Sequence, residues 1–587
     1  MATKLPHTDV VFIGFGMVGS IIAAELAKNT KLKMVALERG PYRDTFPDFI
    51  QDHFDEWRYA VQSGLFMDLS KNTVTFRNNA DQSAAPMREY GSFLPGNGVG
   101  GAMVHWNGQL WRFLDYFFEY RSHLEERYGK DYLPKDTTIQ DWPMTYAEIE
   151  PFYTKFDETF GISGKAGNLN NEIQEGGNPF EGPRSKEYPQ APGKIPYGSS
   201  LFADAAKELG YKPFPQPNGN STGAYTNPYG QKLGPCNYCG FCERFGCHTG
   251  AKASPILMTV PYALASGNLE IRQFSTVYRI NHQDGKATSV TYFDANGLEV
   301  EQPADLIVLG AFTLENNRLM MLSQIGEIYD PKTEKGTVGR NYTYQVGGAG
   351  GTVWFEDKIM NRFMGSGSSG MSIDEFNSDN FDHTGLGFFG GGNITCNVIG
   401  ARPILNNGPL PPKTPTWGSE WKAAAAKWYN RSVSFGMQGE SPAYRQNHVD
   451  LDPTYKDQFG DPLLRITFDF TDNERKMVQY TNENVFPNIA KQLGGTQSAI
   501  NGNITSYNIV PYQSTHVQGG TVVGSDPSNS VVNKYCQSWD VENLFVVGAS
   551  NFPQHGGYNP TGTVGALAYW AADAIISKYL PKPGSIA

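Results

Sequence analysis

The chain has 587 residues, which is too many for one hydrophobic core, so its length predicts two domains or one large split domain. With 39 % hydrophobic and 18 % charged residues the composition excludes a disordered protein, and the net charge of −11 argues against a nucleic-acid partner. No apolar stretch approaches the roughly 20 residues that a membrane-spanning helix needs, so we expect no membrane span of the chain's own.

The N-terminus predicts a βαβ unit. The apolar run over residues 9–13 ends in glycine and is typical of a buried parallel strand. A helix is predicted over residues 21–28 and a second strand over residues 34–38. Residues 1–9 are polar, with neither the apolar core of a signal peptide nor a twin arginine. The sequence alone therefore favours a cytosolic protein or one that is exported with a partner.

A glycine motif, Gly14-Phe-Gly16-Met-Val-Gly19, joins the first strand to the helix. Its first glycine permits a tight turn, its second lets the backbone approach a pyrophosphate, and its third lets helix and strand pack closely. The helix N-terminus offers free N–H groups and a partial positive charge to the phosphates. Glu38 ends the second strand, where its carboxylate can accept hydrogen bonds from ribose hydroxyls. The motif predicts a bound dinucleotide but does not distinguish FAD from NAD.

Further α/β signals recur in the middle and at the end of the chain, on either side of an antiparallel block. The predicted helices cover residues 141–162, 201–209, 314–322 and 563–579. The predicted buried strands cover residues 307–310 and 544–548. Alternating segments between 343 and 500, such as 351–355 and 464–470, favour a half-buried antiparallel sheet. The dinucleotide-binding domain is therefore predicted to be discontinuous in sequence.

Four of the six cysteines fall within one short loop, in the pattern Cys236-x2-Cys239-x2-Cys242-x4-Cys247. Four thiolates on one loop can hold an iron–sulfur cluster. A structural zinc site usually draws two cysteine pairs from well separated segments, and a disulfide would need two of the four. We therefore favour an iron–sulfur cluster over zinc, a disulfide or free thiols. Cys396 and Cys536 are single residues that we expect to lie in the core.

Four segments resemble the glucose–methanol–choline (GMC) oxidoreductases, a family of flavoenzymes. They are Gly100-Gly-Ala-Met-Val-His105-Trp106, Asp141-Trp-Pro-Met-Thr-Tyr-Ala-Glu-Ile-Glu-Pro-Phe-Tyr153, Val338-Gly-Arg-Asn341 and Asn543-Leu-Phe-Val-Val-Gly-Ala-Ser550. The resemblance extends from Asp9 to about Tyr579. It implies that the dinucleotide is FAD.

The resemblance also implies the architecture: an α/β fold (α+β overall) in which a discontinuous, Rossmann-like FAD-binding domain carries an inserted, mainly antiparallel substrate-binding domain. The implied FAD-binding parts are residues 1–112, 231–342 with the cysteine loop, and 506–587 with the catalytic residues. The implied substrate-side parts are a helical and loop region at 113–230 and the antiparallel sheet at 343–505. The residues implied to contact FAD are Gly14, Gly16, Gly19, Glu38, Gly100, Gly101, His105, Asn107, Gly548 and Ala549.

Within the family, the chain looks most like the flavoprotein (large) subunits of membrane-bound gluconate 2-dehydrogenases. The matching segments are Phe15–Gly19, Ala36–Pro41, Gly234–Gly240 and Gly557–Gly562. The implied substrate is a sugar acid or polyol oxidised at a secondary alcohol, with D-gluconate to 2-dehydro-D-gluconate as the leading case. Related dehydrogenases of 2-ketogluconate, sorbitol, fructose, glucose or a glucoside are the alternatives. Arg402, Lys413 and Arg445 are candidates for binding a substrate carboxylate.

The segment Ser514–Gly524 resembles the part of these enzymes that carries the catalytic histidine. His516 is thereby implied as the general base that takes the proton of the substrate hydroxyl while hydride moves to flavin N5. An imidazole suits this role because its ordinary pKa lies near 6.5. Asn559 matches the second member of the catalytic pair, and its amide can hold the substrate oxygen. His555 is the competing candidate for that position.

His105 precedes a tryptophan, as does the histidine that bonds covalently to flavin in pyranose oxidases. Gluconate dehydrogenases are also associated with histidyl-bound flavin, so the resemblance favours a covalent link from His105 to FAD. The alternative is a histidine packed beside the flavin ring without a bond.

Family members pass electrons onward, and the cysteine loop fits that use. Reduced flavin holds two electrons and a cytochrome accepts one, so a cluster between them can divide the pair. Analogy favours a [3Fe–4S] over a [4Fe–4S] cluster. It implies a small signal-bearing subunit and a multihaem cytochrome c as partners, and a periplasmic, membrane-associated location. The rival hypotheses are an oxygen-using enzyme like pyranose oxidase and a redox-sensing flavoprotein without turnover.

Overall fold

The structure is a computed structural model, and it describes residues 2–49, 65–88, 95–362, 364–397, 408–510 and 514–586. The α-helices are, in chain order, α1 Met17–Asn29, α2 Tyr120–Tyr128, α3 Tyr146–Phe160, α4 Tyr197–Glu208, α5 Pro255–Met258, α6 Val260–Ala265, α7 Thr313–Leu322, α8 Gly418–Trp428, α9 Asp472–Tyr480, α10 Phe486–Leu493 and α11 Thr561–Ala574. Short 3₁₀ turns cover Gly101–Val104, Asp115–Glu119, Ser514–His516 and Ala549–Asn551, and π turns cover Thr481–Val485 and Ile575–Tyr579.

The first strands in chain order are β1 Thr3–Lys4, β2 Thr8–Ile13, β3 Met34–Leu37, β4 Thr75–Arg77, β5 Ala85–Pro86, β6 Asn168–Leu169, β7 Glu172–Ile173, β8 Phe214–Pro215, β9 Tyr225–Thr226, β10 Lys232–Leu233, β11 Leu269–Arg272, β12 Thr276–Gln283 and β13 Lys286–Phe293. The later strands are β14 Glu299–Leu309, β15 Arg340–Thr343, β16 Gly350–Trp354, β17 Gly370–Ile373, β18 Gly392–Asn397, β19 Ser432–Gly439, β20 His448–Lys456, β21 Pro462–Thr467, β22 Gln497–Ile500, β23 Gln518–Gly520 and β24 Leu544–Val546.

The larger sheet is built on a parallel core in the order β11-β3-β2-β14, with β24 pairing β14 in parallel as well. Its strands come from both ends and the middle of the chain, so the predicted discontinuous Rossmann-like domain is confirmed. Strand β14 is long enough to serve two purposes. Its second half pairs with β2 and β24, while its first half extends antiparallel against β13 and continues to β12.

The parallel core is buried because its strands are almost wholly apolar. Val10, Val11 and Phe12 in β2 have no exposed surface, and Ile307 and Val308 in β14 have none either. Helix α1 covers the sheet and packs against α11, which in turn packs against α3. Such continuous apolar runs are expected of parallel strands that are covered on both faces.

A second, antiparallel sheet has the order β22-β16-β19-β18-β17-β8 and confirms the predicted antiparallel block. Its alternation decides which side chains face inward. Ile394 and Cys396 in β18 are buried on the side covered by α4, whereas Thr395 and Asn397 are partly exposed on the other side. Because side chains alternate along a strand, the polar set shares one face of the sheet. That face lines the cavity described below.

Most predicted elements differ from the structure only at their ends. Helix α1 begins at Met17 instead of residue 21, and α3 begins at Tyr146 because Thr145 and Glu148 form a capping box there. The predicted last helix ends as an α-helix at Ala574 and continues as a π turn. The strands β12 and β13 were not predicted.

Candidate active site

A cavity of about 570 Å³ extends from the glycine motif to His516. It lies at the carboxyl ends of the parallel strands β2, β3 and β14, where open α/β sheets bind ligands. One wall is the polar face of the antiparallel sheet, which contributes Thr395, Asn397 and Gln438. The volume is within the ~300–1,000 Å³ that small-molecule sites occupy.

The structure places most of the predicted FAD-contacting residues on the wall of this cavity. Those that line it are Gly14, Gly16, Glu38, Gly101, His105, Asn107, Gly548 and Ala549. Gly19 lies in α1 behind the wall, and Gly100 donates its N–H to the carbonyl of Phe15 at 2.8 Å, which joins the two glycine segments. His516 and Asn559 line the cavity as well.

Backbone geometry explains the glycines at the predicted nucleotide end. Gly14 has a φ of +78°, and a Cβ atom there would lie 2.7 Å from the Cα atom of Ala311. Gly101 has a φ of +59°, and a Cβ atom there would lie 3.1 Å from the Cα atom of Gly16. Both positions combine a left-handed backbone with a close approach of main chains, so any side chain would displace the phosphate-binding turn.

Glu38 is buried at this end of the cavity and is held in place by two backbone amides. Its Oε2 atom accepts a hydrogen bond from the N–H of Phe15 at 2.9 Å, and its Oε1 atom accepts one from Gly40 at 2.9 Å. A carboxylate oxygen can accept more than one bond, so this orientation leaves capacity for ribose hydroxyls. The donor set, the glycine turn and the size of the cavity together fit FAD.

His105 lies along the cavity wall and is almost completely buried, with 4 % of its surface exposed. Its ring packs edge-on against Phe66, and its Nε2 atom has no hydrogen-bond partner among the described residues. Burial lowers the pKa of His105 to about 3, and the nearby Lys252 ammonium adds to this shift. The imidazole is therefore neutral at physiological pH and has an unpaired ring nitrogen.

The structure brings His516 and Asn559 into direct contact at the opposite end of the cavity. His516 ends a 3₁₀ turn just before β23, and Asn559 precedes the N-terminus of α11. The Nδ2 atom of Asn559 lies 2.9 Å from the Nε2 atom of His516. Burial lowers the pKa of His516 to about 4, so the ring is unprotonated at neutral pH.

His555, the competing candidate, lies behind this pair. Its ring centroid is 6.4 Å from that of His516, it has no exposed surface, and it does not line the cavity. Its Nδ1 atom bonds the carbonyl of Gly556. The geometry therefore favours Asn559 over His555 as the partner of His516.

Three side chains around the pair were not identified from the sequence. Gln345 bonds the Nδ1 atom of His516, and its own Nε2 atom donates to the Oε1 atom of Gln438 at 3.4 Å. Trp111 donates its indole N–H to the Oδ1 atom of Asn559 at 3.1 Å. These residues come from separate segments and carry no local motif, so no signal in one sequence could have found them.

Two of the three candidates for binding a substrate carboxylate do not reach the site. Arg445 pairs with Glu334 at 2.9 Å, Lys413 is exposed, and neither lines the cavity. Arg402 lies outside the described residues.

The four loop cysteines form no disulfide. Among the described residues, the set of potential ligand atoms lying within 4.8 Å of one another is His7, Asp9 and Asp305, so the cysteine sulfurs do not converge on a single ion. The thiolates of a cluster bind different iron atoms and need wider spacing. Backbone N–H groups point at two of the sulfurs, from Tyr238 to Cys236 and from Lys252 to Cys247, each at 3.4 Å.

Lys252 joins the cysteine loop to the cavity wall. Its ammonium is 1 % exposed and donates to the carbonyls of Trp106, Cys242 and Phe245, each at 2.7 Å. The N–H of Arg244 also donates to the carbonyl of His105 at 2.7 Å. The loop is thus bonded directly to the segment beside the predicted flavin position.

Comparison with known proteins places this geometry in a family. Residues 443–568 match the family model described as GMC oxidoreductase. The chain is 44 % identical to the gluconate 2-dehydrogenase flavoprotein of Pantoea cypripedii, over 100 % of this chain and 96 % of that protein. It is 28 % identical to the 2-methyl-1,2-propanediol dehydrogenase of Mycolicibacterium austroafricanum, over 99 % of this chain and 97 % of that protein. It is 25 % identical to the fructose dehydrogenase large subunit of Gluconobacter japonicus, over 98 % of this chain and 99 % of that protein.

Solved structures agree on the fold. The pyridoxine 4-oxidase from Mesorbium loti matches with a TM-score of 0.59 at 18 % identity, over 96 % of this chain and 98 % of that chain. A variant of Aspergillus oryzae formate oxidase matches with a TM-score of 0.61 at 14 % identity, over 99 % and 100 %. The chain therefore belongs to the GMC oxidoreductase family, as an FAD-dependent dehydrogenase that acts on CH–OH donors.

Proposed function

We propose that this enzyme oxidises a secondary alcohol of a sugar acid, with D-gluconate going to 2-dehydro-D-gluconate as the leading reaction. The observation that carries the proposal is the contact between His516 and Asn559 at the end of a cavity that fits FAD. The 44 % identity to a gluconate 2-dehydrogenase flavoprotein supports the choice of substrate. An oxygen-using oxidase and a dehydrogenase of a related sugar or polyol are the alternatives.

FAD, when bound, supplies an acceptor for the hydride that leaves the alcohol carbon. The chain's own contribution is the proton transfer. His516 is neutral, so its Nε2 atom would take the proton of the substrate hydroxyl, while Asn559, whose Nδ2 atom carries two hydrogens, would hold the oxygen. The N-terminus of α11 adds a partial positive charge to this end of the cavity, since Pro560 and Thr561 line it.

The polar wall suits a substrate with several hydroxyl groups. Gln109, Gln438, Asn397 and Thr395 all line the cavity and offer amide or hydroxyl groups. Arg402 stays the candidate for the substrate carboxylate.

The base is tested by His516→Ala in the FAD-bound enzyme, with the exposed His7→Ala as the matched control. Loss of a general base should lower kcat by about two orders of magnitude or more, and His7→Ala should leave it unchanged. Near-normal turnover of His516→Ala with full flavin content would refute the assignment. An anaerobic screen of D-gluconate, D-sorbitol, D-fructose and D-glucose for flavin bleaching tests the substrate.

We propose further that Cys236, Cys239, Cys242 and Cys247 hold an iron–sulfur cluster, with [3Fe–4S] favoured over [4Fe–4S]. The absence of disulfides at these cysteines, the N–H groups directed at their sulfurs and the contact of the loop with the cavity wall support this. Iron and acid-labile sulfide analysis tests the cluster, and electron paramagnetic resonance of the oxidised enzyme distinguishes the two types. A purified holoenzyme without sulfide would refute the proposal.

The proposed electron route continues to a multihaem cytochrome c, with a small signal-bearing subunit completing a periplasmic, membrane-associated complex. In the described part of the chain, no helix combines the length and apolar character needed to cross a membrane. Reduction of ferricyanide or phenazine with little peroxide supports a dehydrogenase, whereas stoichiometric peroxide would favour the oxidase alternative.

We propose last a covalent bond from His105 to a methyl carbon of the flavin. The bond would replace one C–H bond of that methyl group and the ring N–H bond, with two protons released and two electrons passing through the flavin to its ordinary acceptor. The unpaired Nε2 atom, its position on the cavity wall and the depressed pKa of the ring support it, because a neutral imidazole nitrogen is nucleophilic. Acid precipitation tests the bond: flavin colour should stay with the protein pellet, and free flavin in the supernatant would refute the link.

A further inference from the structure

His516 and Asn559 belong to a longer row of hydrogen-bonded side chains that crosses the active site. We call this set the amide row, and its members in order are Trp111, Asn559, His516, Gln345, Gln438 and Gln109. The segments that supply it are far apart in sequence, since 448 residues separate Trp111 from Asn559. The fold alone brings them together.

The row has a direction that starts at Trp111. An indole N–H can only donate, so the atom of Asn559 that faces Trp111 at 3.1 Å must be the amide oxygen. The NH₂ group of Asn559 therefore faces His516 and donates to its Nε2 atom at 2.9 Å. This Nε2 atom must carry a lone pair, and the proton of the neutral ring is left on Nδ1.

The remaining amides follow in the same sense. The Nδ1–H group of His516 donates to the Oε1 atom of Gln345, which then has only its NH₂ group to offer the next residue. Gln345 Nε2 donates to Gln438 Oε1 at 3.4 Å, and Gln438 Nε2 donates to Gln109 Oε1 at 3.2 Å. Reversing any one amide would place two donors or two acceptors face to face.

The first member of the row is itself fixed by stacking. The ring of Trp111 stacks on Tyr558, with the ring centroids 4.9 Å apart and the planes at 10°. The hydroxyl of Tyr558 bonds the buried carboxyl of Asp374 and accepts from Asn178 at 3.2 Å. The direction of the row is therefore set by a rigid donor.

We infer that Trp111 and Gln345 are positioning residues that hold His516 in its Nδ1–H tautomer, so that the Nε2 lone pair, which accepts from Asn559 in this structure, can accept the substrate hydroxyl when the substrate displaces that bond. This inference rests on the proposed role of His516 as the base. It adds that the tautomer is imposed from both sides, by a donor acting through Asn559 and by an acceptor at Gln345.

The partner of the Nδ1–H group is an uncharged amide, and this has a consequence for pH. Among the described residues, the titratable group that faces His516 is His555, with the ring centroids 6.4 Å apart, and burial lowers the pKa of His555 to about 3. No carboxylate of the described chain bonds the ring. With Gln345 beside it, His516 stays unprotonated until the pH falls to about 4.

The test replaces Gln345 in the full-length, FAD-bound enzyme and follows kcat/KM against pH with the substrate identified by the bleaching screen. Gln345→Glu puts a carboxylate beside Nδ1–H, which should raise the pKa of the ring and move the acid limb upward by about 1–3 pH units. Gln345→Met removes the acceptor and should lower kcat by about 10- to 100-fold, with KM changed less than about twofold and no upward movement of the limb. The exposed Gln283→Glu is the matched control and should leave the limb in place.

An acid limb of Gln345→Glu that coincides with the wild-type limb would overturn the inference. If that variant does not fold, the tautomer of His516 can be measured directly in the wild-type enzyme. Histidine labelled with ¹⁵N and ¹³C in the wild-type holoenzyme should show the His516 signal, identified by its loss in His516→Gln, as the Nδ1–H tautomer. A signal from the Nε2–H tautomer would refute the inferred direction of the amide row.

The result also separates this inference from the proposed function. If His516→Ala is inactive while Gln345→Glu keeps the wild-type limb, the base assignment stands and the positioning role of Gln345 fails. If His516→Ala keeps near-normal turnover, the proposed function itself fails.

Discussion

Lys252 offers a sharp test of how the cysteine loop is attached to the active site. Lys252→Met keeps most of the aliphatic stem and removes the ammonium, which breaks its hydrogen bonds to the carbonyls of Trp106, Cys242 and Phe245. The carbonyl of Cys242 keeps the backbone N–H of Phe245 as a donor at 3.2 Å. Each lost hydrogen bond from the buried ammonium costs about 1–2 kcal/mol, so the three together cost roughly 3–6 kcal/mol. Loss of the buried charge returns about 1 kcal/mol of this, because burial disfavours an ammonium, and we expect a net destabilisation of about 2–5 kcal/mol.

The expected shift in melting temperature follows from the size of the chain. At about 2.1 cal/mol/K per residue, the unfolding entropy of a chain this long is roughly 1.2 kcal/mol/K, so the loss corresponds to about 2–4 °C. The assay is thermal unfolding of the holoenzyme, followed by intrinsic fluorescence, with flavin and iron content measured on the same preparation. We expect Lys252→Met to retain less iron than wild type, because the loop loses its anchor to the cavity wall.

The matched control is Lys207→Met, since Lys207 is exposed on α4. A melting temperature of Lys252→Met within about 1 °C of wild type, with unchanged iron and flavin, would refute the reasoning. Equal losses in both variants would show that the effect is not specific to the buried ammonium.

Three further predictions concern the cavity and the buried histidine behind it. Gly14→Ala should abolish retention of flavin absorbance on purification, since its Cβ atom would lie 2.7 Å from the Cα atom of Ala311; a yellow variant would contradict this. Trp111→Phe can keep the stack on Tyr558 but loses the indole N–H, and kcat should fall about tenfold, whereas an unchanged kcat would count against the row. His555 has a pKa lowered to about 3 by burial, so its unfolded form binds a proton near pH 6.5 and its folded form does not. Between about pH 7.5 and about pH 5, wild type should therefore lose about 2 kcal/mol more stability than His555→Gln, and parallel pH profiles in thermal unfolding would contradict this.

Local sequence patterns were sufficient to predict those features of the fold and site that depend on residues close together in sequence. The strand at residues 9–13 and the turn at Gly14 predicted a dinucleotide site because apolar runs and glycines act over a few residues. The pairing of His516 with Asn559 came from resemblance to a family, and the structure places the two side chains in contact. Helix ends were less accurate, since capping groups such as Thr145 shift them by several residues.

The amide row shows what a single sequence could not supply. Gln345 follows β15 and Trp111 lies in an irregular segment, and neither stands in a motif that predicts a catalytic role. Their function depends on a fold that brings residues 111, 345, 516 and 559 to one point. Strands β12 and β13 were missed because polar and apolar residues are mixed along both, so neither has the continuous apolar run that marked β2.

The two sheets supply different parts of the cavity wall. The parallel core supplies the glycine turn and Glu38, while the antiparallel sheet supplies Thr395 and Gln438 on its polar face. The residues that face away from that polar face pack beneath α4 and α10, so the polar wall of the cavity has its own core. Substitutions such as Thr395→Val should therefore change KM for the substrate and leave flavin binding intact, whereas changes at Glu38 should do the reverse. Gln438 belongs to both the polar wall and the amide row, so we expect a substrate that displaces its bond to Gln345 also to disturb His516. Recognition of the substrate would then be coupled to the orientation of the proposed base.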